Sequence, residues 1–497
     1  AIEDLSPISN ITLLESLNLS NTPTAAIKFI KYSDRLRYLD ISNSQIEDIS
    51  ELINLSNLQV LKASNTSIQS FAVLNQFKRL QELNLNESGF NNMENIKDLG
   101  SLQSLSLNKN YILNFSLLSQ LTALSKLELA ETNFEDLSPL TSLTKLAYLD
   151  LTASLVSDLS PVASLSSLKK IAADETKLSP EDATLFMRNH PEILLIHHVK
   201  DLQSWWESLS SAWKQALVSI NPSLELEKPR IEILTQTLNF PTLNFDDSGI
   251  ESLMPVVRFV ALSSLSISNN TKVDNLLPLQ EVKTLRQLTA KNTSVQDGAV
   301  LQENVLLERI DLEGSPIISI AGLTVLPKLN YLNVNASQVK EVEFPEFLQK
   351  RPDVSIIYRS DSLFSWWEGL DKDWKQVLSE QFKLSSSPTT DELHHLTAVA
   401  SLALERVPFT SLAPLTIFTN LRKLVVFDSP TRILTPLSQL TKLTSLTLSQ
   451  MPAIDYLPIA GLVTLEELDL SNTGIEELLA MSKLTNLKKL NLLWGGK

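Results

Sequence analysis

One spacing governs this chain. The pattern L-x-x-L-x-L-x-x-(T/S/N) occurs at Leu14-Leu17-Leu19-Thr22 and again at Leu36-Leu39-Ile41-Ser44, a step of 22 residues. It continues from Leu58, Leu80, Leu102, Leu124, Leu146 and Leu168 without a slip. It resumes at Phe240, Leu262, Leu285, Leu307 and Leu329, and a third time at Val399, Leu421, Leu443, Leu465 and Leu487. Self-similarity at a fixed step marks a stacked array, in which each unit buries its apolar face only against its neighbours. A chain of 497 residues is too long for one globular core, and an array removes that limit.

The x-L-x-L-x segment predicts a short strand, with both leucines pointing inward and the residues between them outward. Successive strands should stack in parallel, about 4.8 Å apart. The Thr, Ser or Asn after each strand falls where the chain turns inward. A small side chain carrying both donor and acceptor is expected there to bridge adjacent turns in a polar ladder. Val407 and Met451 interrupt that ladder in the last array. Prolines recur on the return side, at Pro7, Pro139, Pro161, Pro278, Pro414, Pro436 and Pro458. Serine precedes the first three, which suits the cap and first residue of a short helical turn.

These units resemble leucine-rich repeats over nearly the whole chain. The 22-residue length and the phrases IEDISEL, FEDLSPL and VSDLSPV are similar to the internalin-like bacterial class. The resemblance implies a protein-binding scaffold, adhesion or host contact, and a place at the cell surface or in secretion. The class's helical N-cap and following immunoglobulin-like domain are not visible here. The opening AIEDLSPI matches the back half of a repeat, so an N-terminal cap is expected to be missing or trimmed.

Six of the seven tryptophans fall in two cassettes, DLQSWWESLSSAWKQAL from Asp201 and DSLFSWWEGLDKDWKQVL from Asp361. Trp205 and Trp366, Trp213 and Trp374, and Phe186 and Phe347 are each 161 residues apart, so the duplicated unit includes the closing repeat of each array. The apolar residues Leu202, Trp205, Trp206, Leu209, Trp213, Leu217 and Ile220 keep helical spacing. A further helix should begin near Pro229 and near Thr389, where Thr389-x-x-Glu392 reads as a capping box. The cassettes are expected to cover the leucine-lined array ends. The competing reading is an aromatic pocket, for sugar. The fold class is therefore an α/β solenoid, a leucine-rich repeat arc of short parallel strands with a 3-10 or short-helical convex side, interrupted by two helical cassettes. The boundaries are arrays at 1–199, 240–359 and 399–497, with cassettes at 200–239 and 360–398.

No enzyme is legible. There is no cysteine, which removes thiolate metal sites, and the 11 glycines form no phosphate-cradling loop. His197-His198 and His394-His395 are the histidine pairs, and adjacent residues on a strand or helix point apart, which makes poor chelates. Asp40 and Asp150 lie five repeats apart. No cofactor is implied. The formal charge of −15 works against nucleic acid, and no apolar run is long enough to insert in a membrane. Asn-x-Ser/Thr triplets occur at Asn18, Asn54, Asn65, Asn86 and Asn335, and several lie in the stacking strand or turn, where glycosylation would hinder packing, which favours a bacterial source.

Recognition is thus expected on the outward strand slots. The first array presents Tyr38, Asp40, Lys62, Lys109, Tyr148 and Lys170 there; the last presents Glu405, Arg406, Lys423, Val425 and Phe427. Val425 and Phe427 are apolar where the slots are otherwise polar, and Arg406 and Lys423 flank them. An apolar pair rimmed by charge is the composition of a recognition hot spot. The partner-binding candidates are Val425, Phe427, Arg406, Lys423, Tyr38 and Tyr148. The expected partner is a protein, and glycan capture at the cell surface is the alternative.

Overall fold

The computed structural model describes residues 5–453, 455–473 and 475–493. The chain divides into two compact units, Ala1–Leu265 and Ser266–Lys497. In the first, nine three-residue strands from Ser16–Asn18 to Leu194–Ile196 form one sheet in sequence order. Leu17, Leu39, Leu61 and Leu83 fall on one another, and the register runs on through Leu149 and Ile171 to Leu195. Parallel pairing of consecutive strands needs a crossover. Each repeat supplies a slim one, often a 3-10 turn such as Ser50–Asn54 or Ser160–Val162. Leu17, in the first strand, is partly buried; from Leu39 to Leu195 the inward residues are fully buried, and each contributes about 2 kcal/mol of apolar burial.

The inward turn is built differently from the expected ladder. One residue per repeat adopts a left-handed conformation: Asn21, Asn43, Asn65, Glu87, Lys109, Glu131, Ala153 and Glu175 have φ between 49° and 59°. This geometry aims the residue's N–H at the following repeat. Asn21 donates to Ser42 O at 2.9 Å, Asn43 to Ser64 O at 2.9 Å and Glu131 to Thr152 O at 2.7 Å. The hydroxyl that follows mostly closes its own turn. Ser44 Oγ donates to Ile41 O at 2.6 Å and Thr66 Oγ1 to Ala63 O at 2.8 Å. Bridging by the side chain occurs at Asn110, whose Nδ2 reaches Leu85 O at 2.8 Å, and at the Thr293–Ser315 hydroxyl pair at 2.8 Å. Val407 and Met451 simply pack into the core, at 4% and 3% exposure.

The convex caps also differ from expectation. The oxygen that starts the Ser-Pro turns belongs to an aspartate two residues before the serine, and it accepts the serine's N–H. Asp136 Oδ1 accepts from Ser138 N at 2.8 Å, and Asp158 Oδ1 from Ser160 N at 2.8 Å. The Ser138 hydroxyl, which also donates to Asp136 Oδ1 at 2.6 Å, and then the Ser138 N–H favour the ionised carboxylate and hold Asp136 below its ordinary range.

Each cassette contains three helices, where the hydrophobic spacing predicted two. In the first unit α1 (Pro180–Asn189) precedes the strand Leu194–Ile196, and α2 (Val199–Ser208), α3 (Ser211–Ile220) and α4 (Ile231–Leu238) follow. In the second unit α5 (Glu343–Lys350) precedes Ser355–Ile357, and α6 (Ser360–Gly369), α7 (Lys372–Phe382) and α8 (Thr390–Thr397) follow. The tryptophan run breaks at Leu209 and Leu370, which are extended, because Ser210 and Asp371 cap a new helix by accepting from Trp213 N and Trp374 N. The apolar period crosses the break undisturbed, which is why spacing alone reads one helix. The capping box on α8 is present, with Thr389 and Glu392 bonded reciprocally.

In the second unit, strands Gln287–Thr289, Arg309–Asp311, Tyr331–Asn333 and Ser355–Ile357 pair in parallel. Five further strands, Ser401–Glu405 to Lys489–Asn491, form a separate parallel sheet. Strand Ser264–Ser266 falls at the division between the units.

Candidate functional site

The outward slots of the strands are the broad side-chain surface of each unit. Many of their carboxylates and amides are committed to the backbone. Asp40, Asn84, Asp150 and Asn333 each accept the N–H of the residue two ahead, at 2.9–3.0 Å. These are Asx turns that steer the chain out of the strand, so Asp40 and Asp150 are structural. Asp40 is 9% exposed. Lys109 and Arg406 do not occupy strand slots. They are the left-handed residues of their turns, with φ of 59° and 55°.

In the first unit the outward cations are held by their neighbours. Lys62 lies 5.7 Å from the Tyr38 ring and 3.3 Å from Glu82. Lys126 and Lys170 sit on the Tyr148 ring at 5.7 and 5.2 Å. Lys126 pairs with Glu128 at 2.8 Å, and Lys170 pairs with Glu232 of α4. Burial, then the carboxylates of Asp150, Glu128 and Glu232, pushes the Tyr148 hydroxyl up to about 12. Tyr38 and Tyr148 are both half-buried and separated by five strand steps, about 24 Å, so they do not form one site.

In the second unit the strand Lys423–Phe427 presents Lys423 exposed and Val425 and Phe427 half-buried, while Leu424 and Val426 are fully buried. The register sets Glu405 and Ser449 beside Phe427, and Ala403 and Thr447 beside Val425. Arg406 is exposed, and its N–H donates to Phe427 O at 2.8 Å. Among the described residues neither Arg406 nor Lys423 has an ion-pair partner. Two other cations of this unit do: Lys291 meets Asp311 at 3.1 Å and Glu313 at 3.0 Å, and Lys489 meets Glu467 at 2.6 Å, while Arg309 lies over the Tyr331 ring at 3.9 Å.

The cassettes bury most of their tryptophan. Trp213 is 3% exposed, meets Phe245 edge-on at 4.9 Å and donates Nε1–H to Ser252 O at 2.8 Å. Trp374 is 1% exposed, stacks on Phe409 at 3.9 Å and donates to Ser411 O at 3.2 Å. Both therefore pack on the repeat that follows their cassette. Trp205 and Trp366 are half-buried. Trp366 bonds to Pro414 O at 3.3 Å.

The first histidine pair needs a correction, whereas in the second His394 is buried and His395 is exposed, so those two point apart as expected. His198 is left-handed, with φ 44°, and this folds its ring onto its neighbour, so that His197 Nδ1 and His198 Nδ1 are 2.7 Å apart. Adjacent rings thus meet rather than diverge. Burial, then His198 and Arg258, lowers His197 to about 4, which leaves it neutral. His394 is likewise lowered to about 4, by burial and then by His395. Among the described residues no group of three His, Cys, Asp or Glu is placed to hold a metal, and no helix is long and apolar enough to cross a membrane.

No family model and no curated protein matches the chain. Solved structures similar to it include an internalin from Listeria monocytogenes, at 20% identity and a TM-score of 0.34 over 93% of this chain and 89% of that one. An internalin C2 from the same species is 26% identical, with a TM-score of 0.36, over 38% of this chain and 83% of its own. A leucine-rich repeat protein of Leptospira interrogans is 16% identical, with a TM-score of 0.34, over 71% and 98%. The 22-residue step, the parallel strands in sequence order and the 3-10 returns make each unit of this chain a leucine-rich repeat solenoid.

Proposed function

We propose that the chain is a non-enzymatic scaffold that binds a protein partner outside the cytoplasm, with recognition centred on Val425 and Phe427. The observation that carries this reading is the combination at that strand. Two apolar side chains stand half-open in outward slots, and the adjacent cations Arg406 and Lys423 lack the carboxylate partners that Lys291 and Lys489 have. Such a patch suits a partner surface with an apolar knob beside acidic groups. The bacterial repeat type favours adhesion or host contact as the setting.

The test begins with a photo-crosslinking side chain at position 425, used to capture and identify the partner from envelope or host-cell extract. Binding of that partner is then measured for Phe427→Ala. Truncating a central aromatic should lower affinity by more than about tenfold. The melting temperature should stay nearly unchanged, because Phe427 is only half-buried. Normal binding by the variant, or early unfolding, would move the interface elsewhere, with the Tyr38 and Tyr148 surfaces next to be tried. A glycan array run beside the capture separates sugar from protein as the ligand.

A further inference from the structure

The duplicated cassettes place a pocket at the same point of each copy. In the second unit it lies between strand Ser355–Ile357, α6, α8 and the next repeat's 3-10 turn, Ala413–Ile417, and has a volume of about 450 Å³. Its counterpart in the first unit is only about 100 Å³. Residue pairs 161 or 159 apart account for the difference in lining: Tyr358 stands where the first copy has His197, His394 where it has Thr235, Ala398 where it has Asn239, and Ile417 where it has Arg258. The copies have diverged at the pocket while keeping the helices around it.

The larger pocket is a built one. Tyr358 is stacked flat on Phe344 at 4.0 Å, which fixes its ring as a plate. His394 is 7% exposed, and its Nε2 lies 3.5 Å from Ser360 Oγ. Among the described residues, neither His394 Nδ1 nor Tyr358 Oη has a hydrogen-bond partner. Leu348, Val354, Ile356 and Leu363 supply apolar wall. The formal charges beside it are already matched: Asp353 by Arg351 at 2.7 Å, and Arg359 by Glu341. A charged ligand would lose its hydration there with no free counter-charge to replace it.

We propose that this pocket is a binding site for an uncharged, ring-bearing small molecule carrying a hydroxyl or carbonyl group. The rings pack between the Tyr358 plate and the apolar wall, and the polar group bonds to His394 Nδ1 or Tyr358 Oη. The volume falls in the range of roughly 300–1,000 Å³ typical of small-molecule sites. It is three times the roughly 150 Å³ cavity that accepts one benzene, which sets the ligand at two or three rings. The site is distinct from the outward face around Phe427.

The test uses 2-naphthol, with 2-naphthoate as its charged counterpart, titrated into the full chain by calorimetry. Saturable binding of 2-naphthol is expected, with naphthoate weaker by more than about tenfold. The ring-proton signals of His394, assigned by its replacement, should move on binding, and those of His197 should not. Ala398→Phe fills the mouth from an exposed position and should abolish binding with no change in melting temperature. Tyr358→Phe keeps the plate, removes one hydroxyl and should weaken binding about threefold to tenfold. The proposal is overturned if 2-naphthol does not bind saturably, if naphthoate binds as well, or if Ala398→Phe binds normally.

Discussion

At eight successive repeat turns of the first unit, from Asn21 to Glu175, a residue other than glycine takes a left-handed conformation that L side chains disfavour by about 1–2 kcal/mol. Asparagine lowers this cost, and neighbouring copies use the side chain twice over: Asn43 Nδ2 donates to Asn21 Oδ1 at 3.0 Å, and Asn65 Nδ2 to Asn43 Oδ1 at 2.9 Å. Ala153, with φ 54°, has no such compensation. Replacing it by glycine should therefore stabilise the chain by about 0.5–1 kcal/mol, the relief of strain less the entropy glycine adds to the unfolded chain. Urea unfolding would detect this, and a lower midpoint for Ala153→Gly would mean the turn is not strained there. The buried histidines set a pH dependence. His197 and His394 are held neutral to about 4, whereas in the unfolded chain they protonate near the ordinary value of 6.5. Between those limits the unfolded state binds more protons, so stability falls as pH drops from about 6.5 towards 4, by roughly 1–3 kcal/mol per histidine. His197→Asn with His394→Asn should flatten the decline in melting temperature between pH 7.5 and 5. A slope unchanged in the double variant would place the acid sensitivity in other groups.

At the scale of the element, the cassettes are end-covers with aromatic anchors. Trp213 and Trp374 are almost completely buried on the following repeat, each with its indole N–H bonded to a backbone carbonyl. Replacing either by alanine should cost about 3–5 kcal/mol. Denaturant unfolding measures this, and a loss below 1 kcal/mol would show the helices to be dispensable to the array. Strands were legible in the sequence because a buried slot every 22 residues leaves few alternatives to leucine. The helix count was not, because Leu209 and Leu370 keep the apolar period through a break that Ser210 and Asp371 impose with one hydrogen bond each. A Ser or Asp three residues before tryptophan was the available signal. The outward candidates were half-legible. Strand alternation identified Lys423, Val425 and Phe427, but periodicity carries no information on left-handed φ, and so Lys109 and Arg406 were placed one element too early. The large pocket was invisible, since its lining comes from helices, a strand and a turn over some 70 residues, from Leu348 to Asn420.

For the whole molecule, cooperativity follows the contacts. Neighbouring repeats bond strand to strand and turn to turn, while the segments 221–230 and 383–390 join helices and carry no repeat. Limited proteolysis should cut there first and release fragments that keep their helical and strand circular dichroism. A single unfolding transition without stable fragments would instead show one cooperative body. Within the first unit, the constant register also makes length a digital quantity. Deleting one repeat, such as 80–101, would rejoin Leu17's column of leucines without an altered contact type, and would bring Tyr38 and Tyr148 closer by one strand spacing, about 4.8 Å. A gene that gains or loses multiples of 66 nucleotides between these two tyrosines therefore retunes the distance between two surface marks in fixed increments. Recombination between copies thus acts on this protein as an adjustable calliper.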